Sequence, residues 1–145
     1  MQGWRISMED AHACVLDLQV EAEGGSPTPP DKRLSFFGVY DGHGGDKVAI
    51  YAGDNLHKIV AKQEAFKEGD LKKALQDGFL ATDRAILSGK ILRFGCEPIN
   101  PGSGLTHCAD PKYEEEVSGC TASVGIISKD KIYVVCTTFH LPVYY

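Results

Sequence analysis

The sequence predicts an α+β domain whose helices gather against a mostly antiparallel sheet. Three observations lead there. Two strand-like runs come first, at residues 11–20 and 34–40. Two segments then carry apolar residues at spacings of three and four, the signature of amphipathic helices. Two short apolar runs, 121–127 and 131–136, close the pattern across the turn Ser128-Lys129-Asp130, as a hairpin would.

Residues 11–20, AHACVLDLQV, are apolar and β-branched enough to read as a strand. The following EAEGGSPTPPDKR holds three prolines and two adjacent glycines and reads as a loop. LSFFGVY at 34–40 has the length and composition of a buried strand, bounded by charge before it and Asp-Gly after it. Val48, Ala52, Leu56, Ile59 and Val60 mark a first helix. Leu71, Leu75, Phe79, Thr82 and Ile86 mark a second, over 70–87, with Asp70 placed to cap it. No internal repeat is visible.

A chain of 145 residues suits one domain, and 43% hydrophobic with 24% charged residues is a globular balance, not a disordered one. Fifteen Lys and Arg against twenty Asp and Glu give a net charge of -5. That balance argues against nucleic acid or an anionic membrane as partner, since both reward a basic surface. No apolar run approaches the roughly 20 residues that span a bilayer. The five cysteines are odd in number and never spaced as CxxC, so neither a disulfide framework nor a four-cysteine zinc site is expected. A reducing compartment, cytoplasmic or nuclear, is the expected location.

Two clusters carry chemistry: R-x-x-M-E-D at residues 5–10 and D-G-H-G-G at residues 41–45. The first sets Arg5, Glu9 and Asp10 at the head of a strand, and the second sets Asp41 at the tail of another. Strand ends can converge because the sheet holds them rigidly while their loops stay open. Hard divalent cations take oxygen ligands, and Glu9, Asp10, Asp41 and the Gly42 carbonyl form such a set. Taken singly, an acidic pair reads as a solvated surface and Asp-Gly as a simple turn. D-G-H-G-G lacks the spacing and lysine of a phosphate-binding loop. His43 serves equally as a turn histidine. His12 reads as a packing residue and His57 as lying on the polar side of its helix. His107 and Cys108 have no second pair to complete a zinc site, and Glu114, Glu115 and Glu116 read as a solvated charge run.

Taken together, GWRISMEDAH and, some thirty residues later, FFGVYDGHGG closely resemble the type-2C metal-dependent protein serine/threonine phosphatases, the PPM family, and most of all its fungal members. SGCTASVGII at 118–127 and FLATDRAIL at 79–87 extend the likeness. The resemblance implies a β-sandwich flanked by helices, with two Mg²⁺ or Mn²⁺ ions at one end. It implies that Asp41 bridges the ions, that Glu9 and the Gly42 carbonyl help hold one, and that Asp10 acts through water. It further implies that water activated between the ions attacks phosphorus directly, that Arg5 grips the phosphate, and that His43 protonates the leaving alkoxide. Phosphoserine and phosphothreonine proteins are then the substrates.

The chain also departs from that pattern. The family domain is considerably longer, and its remaining metal-binding aspartates have no counterpart among these residues. Residues 88–109 interrupt a place where the family runs straight on, and 135–145 diverge from it. Both stretches read as translated intron sequence. The expectation is a partial phosphatase domain with a non-core insertion at 88–109 that is cut first by proteases and a divergent tail at 135–145. Such a chain is expected to be inactive by itself, with apolar sheet faces left open. The other reading is a non-catalytic binding or regulatory fragment.

Overall fold

A computed structural model of the chain describes residues 4, 6–23, 27–88 and 118–140. Its frame is one four-stranded antiparallel sheet in the order β1-β2-β3-β4, from β1 (Ala11–Val15), β2 (Ser35–His43), β3 (Gly119–Ile127) and β4 (Ile132–His140). Strands β2 and β3 pair along their full length, Ser35 opposite Ile127 and His43 opposite Gly119, although the helices separate them in sequence. This is one sheet with helices against it, matching the α+β expectation and amounting to part of the expected sandwich.

Alternation along β2 shows how the sequence divides the sheet. Phe36, Gly38, Tyr40 and Gly42 are buried, whereas Phe37, Val39, Asp41 and His43 are exposed. Successive side chains leave a strand on opposite faces, so one face meets the helices and the other stands open. Helix α2 (Lys47–Ala61) crosses β1, β2 and β3, while α4 (Leu71–Leu87) runs beside α2 and reaches β4. Val48, Leu56, Leu75, Val124 and Ile126 fill the space between them.

Both long helices follow their sequence signals. The apolar positions of the predicted second helix are all buried in α4, and Asp70 accepts a hydrogen bond from the Lys73 N–H at 3.1 Å. That bond satisfies one of the free donors at the helix start. A Cβ on Gly78 would strike the Val60 side chain, so glycine lets α4 lie close on α2. Among the described residues no helix is long and apolar enough to cross a membrane.

Elsewhere the structure corrects the reading. The predicted strand at 11–20 ends at Val15, and α1 (Leu18–Glu23) follows. Asp17 is the reason: its carboxylate accepts the Val20 N–H at 3.5 Å, a helix N-cap that the apolar composition hid. A four-residue helix, α3 (Glu64–Lys67), was not anticipated, and its length is too short for a periodic signal. Strand β2 continues through Asp41-Gly42-His43 because β3 offers it a full partner. His57 is buried, not on a polar face, and packs 6.0 Å from the Phe36 ring. His12 is exposed on the open face beside Val39, not packed.

Strand β4 runs to His140, so residues 135–140 of the expected tail form sheet. Phe139 is 1% exposed and stacks on Phe79 at 5.4 Å. The insertion at 88–109 lies outside the described residues except for Ser88, which closes α4 by donating to the Ala85 carbonyl at 2.9 Å. His107, Cys108 and the three glutamates at 114–116 also lie outside them.

Candidate functional site

The two acidic motifs meet at one end of the sheet. Ala11 pairs with Tyr40, so the chain enters β1 directly beside the segment Asp41-Gly42. A Cβ on Gly42 would run into the Glu9 carbonyl oxygen, so only glycine lets the two backbones approach this closely. Glu9 is half-buried, and Ser7 Oγ donates to its Oε1 at 3.1 Å. Gly44 and Gly45, at φ 69° and 130°, then turn β2 into α2, a left-handed path that side chains disfavour.

Asp41 and His43 point to the open face, opposite Thr121 and Gly119 of β3. Asp10 is exposed. The charge of Asp41 is felt through the sheet by Cys120. Burial, and after it the Asp41 carboxylate, pushes the Cys120 thiol up to about 12. Tyr40 is also held neutral well above its ordinary range, by burial first and then by Cys120. Its hydroxyl is buried with no hydrogen-bond partner among the described residues.

The structure therefore brings Glu9 to Gly42 and leaves Asp41 at the neighbouring position. Among the described residues no three His, Cys, Asp or Glu side chains stand close enough to hold an ion. Strand alternation sends Asp41 to the open face and Gly42 to the helix face, where the Glu9 backbone lies. Arg5 lies outside the described residues. The donors suit a hard divalent cation in kind, since they are carboxylate and carbonyl oxygen held by a glycine contact that a Cβ would fill. They are only part of the six or so oxygens Mg²⁺ takes.

Sequence reasoning did not single out Cys120 and Thr121, although SGCTA carried part of the resemblance. The register sets them across from Gly42 and Asp41. An open cleft of about 460 Å³ lies elsewhere, along β1 and α2, lined by His12, Asp17, Asp54, His57 and Lys58 among others. Glu9, Asp41 and His43 take no part in it.

The sequence pattern of the family described as Protein phosphatase 2C matches residues 1–135. The chain belongs to that family. It is 66% identical over 136 residues to Protein phosphatase 2C homolog 2 of Aspergillus fumigatus, which covers 92% of this chain and 27% of the relative. The protein of the same name from Aspergillus flavus is 60% identical over 136 residues, covering 92% and 26%. The chain thus spans about a quarter of the length of the curated relatives it matches. Among solved structures, a serine-threonine phosphatase 2C from Toxoplasma gondii aligns with 98% of this chain and 47% of its own, at a TM-score of 0.60 and 15% identity. A Caenorhabditis elegans sex determining protein aligns at a TM-score of 0.63 and 20% identity, over 94% and 28%. These two likenesses speak for the fold alone. They agree with a four-stranded antiparallel sheet and helices as part of the phosphatase fold.

Proposed function

We propose that this chain carries the N-terminal part of a metal-dependent protein serine/threonine phosphatase, acting on phosphoserine and phosphothreonine proteins. The observation behind this reading is the close contact of Glu9 with Gly42 beside an exposed Asp41, in a chain of the Protein phosphatase 2C family. Asp41, Glu9 and the Gly42 carbonyl would hold Mg²⁺ or Mn²⁺, with Asp10 acting through water. When bound, such cations lower the pKa of water and neutralise charge on the phosphoryl oxygens. Arg5 grips the phosphate through its planar fork. His43, exposed on the same face as Asp41, donates a proton to the serine or threonine oxygen as it leaves. The cytoplasm or nucleus supplies such substrates.

The second reading is a non-catalytic binding or regulatory fragment of a phosphatase. One experiment separates the two. Residues 1–135 replace the matching segment of the Aspergillus fumigatus relative, and phosphopeptide hydrolysis is followed with Mn²⁺. The phosphatase reading predicts hydrolysis by the chimera, its loss in Asp41→Asn, and none by the 145-residue chain. A chimera whose hydrolysis survives Asp41→Asn refutes the assignment.

A further inference from the structure

The loop between α1 and β2 holds a feature that the hydrolytic site does not use. Thr28 precedes Pro29 in the run SPTPP. A proline fixes its own φ, lacks an N–H, and biases the residue before it to extended backbone. An extended acceptor followed by a residue without an amide donor is what a proline-directed kinase reads. Pro27, Pro29 and Pro30 are exposed, and residues 27–29 have no regular structure.

Thr28 is tied to the start of α1. Its N–H donates to Asp17 Oδ2 and its Oγ1 to Asp17 Oδ1, both at 2.9 Å. The same carboxylate caps α1 by accepting the Val20 N–H. Arg33 completes the clasp, donating from Nη2 to the Thr28 carbonyl at 3.3 Å and lying 3.6 Å from Asp17 Oδ2 through Nε. The Asp17 side chain is 16% exposed and Arg33 is 41% exposed. One hydroxyl thus sits where it decides whether the loop stays fastened to the helix.

We propose that Thr28 is a phosphorylation site for a proline-directed serine/threonine kinase and that the phosphate unfastens the first turn of α1. In the transfer, Thr28 Oγ1 bonds to the γ-phosphorus of ATP as the bond to the departing ADP breaks, and the hydroxyl proton passes to the kinase's base. The donor to Asp17 is lost. In its place stands a group of about −1.5 to −2 charge against a carboxylate. Partial burial pushes the Asp17 carboxyl upward, but the hydrogen bonds from Thr28 and Val20 and the charge of Arg33 outweigh this and hold it below its usual range. It is therefore ionised at neutral pH, and the two negative groups repel. Arg33 prefers the phosphate, whose oxygens match its fork, and leaves Asp17. Helix α1 has only six residues, too few to persist without its cap and packing. Leu18, fully buried at its first position, then loses its anchor, and the cleft bordered by Asp17 and Val20 widens. The kinase gains the half-buried hydroxyl through local opening of this same short element.

The test treats the purified chain with Mg-ATP and a proline-directed serine/threonine kinase and maps phosphate by peptide mass spectrometry. Phosphate is expected on Thr28, absent in Thr28→Val, and added faster in Asp17→Asn, where the clasp is weakened. Modified protein should show loss of amide-exchange protection over 18–23 and a thermal midpoint lower by on the order of 5 °C, the scale of a lost helix cap in a small domain. Site mapping on the wild-type chain carries the test should Thr28→Val not fold. Phosphate on Ser26 alone overturns the proposal, as does failure to modify Thr28 in both wild type and Asp17→Asn when a peptide of residues 22–34 is modified. Phosphate on Thr28 with unchanged protection over 18–23 overturns the unfastening.

Discussion

The two faces of the sheet are built from the same strands and do different work. On the helix face, Phe36, Tyr40, Val124, Ile126 and Phe139 are sealed under α2 and α4. On the open face, Phe37, Val39, Ile127, Ile132 and Val134 remain in contact with solvent, and Asp41 and His43 stand at one end. Alternation alone separates the two sets. The covered face supplies the stability, because apolar burial scales with area removed from water. The open face is free to carry chemistry, at the cost of an apolar surface that invites association.

A matched pair of substitutions tests this division most strongly. Val124 is 1% exposed and Val134 is 66% exposed, on adjacent strands of opposite facing. Val124→Ala should lower unfolding free energy by roughly 2–3 kcal/mol, from two buried methyl groups and the void they leave. Val134→Ala should stay within about 0.5 kcal/mol. Denaturant titration reads both, and equal losses would break the comparison.

The helix layer offers a second probe. Gly78→Ala gains helix propensity but forces a methyl group into Val60. Overpacking should prevail, for a net loss of roughly 1–2 kcal/mol. Stabilisation of the variant would show that α2 and α4 are less tightly packed than this contact implies.

A smaller effect appears at alkaline pH. The Cys120 thiol is raised in the folded chain from an ordinary 9.0 to about 12. The folded state keeps the proton that the unfolded state gives up. The resulting stability is complete below pH 9 and is lost as pH rises toward about 12. The slope from this group is at most about 1.4 kcal/mol per pH unit. Cys120→Ala should flatten the stability profile between pH 9 and 11, as read by denaturant titration across that range.

The covered face was the more legible half in the sequence. Helix period and the Asp70 cap fixed α4 almost to the residue, because its apolar stripe has one partner to meet. Strand β2 read as a uniformly buried run, since Phe37 and Val39 are as apolar as Phe36 and Tyr40. Nothing in those residues tells which side another layer covers. The Asp17 cap was hidden inside a strand-like composition, and the strand at 132–140 outran its apolar core because Thr137 and Thr138 are as content in a sheet as valine. For the candidate site, the two motifs come together at one end of the sheet, where the Glu9 backbone meets Gly42. The facing of Glu9 relative to Asp41 was not legible, because it depends on where the segment before β1 leaves the ladder.

The central claim is that the end of the sheet holding Glu9, Asp41 and Gly42 receives a divalent cation. Paramagnetic broadening of backbone amide signals by substoichiometric Mn²⁺ tests it most directly, independent of turnover. Broadening should centre on Glu9, Gly42 and Thr121 and should disappear in Asp41→Asn. Broadening centred on the cleft of His12, Asp54 and His57, or unchanged by Asp41→Asn, would contradict it.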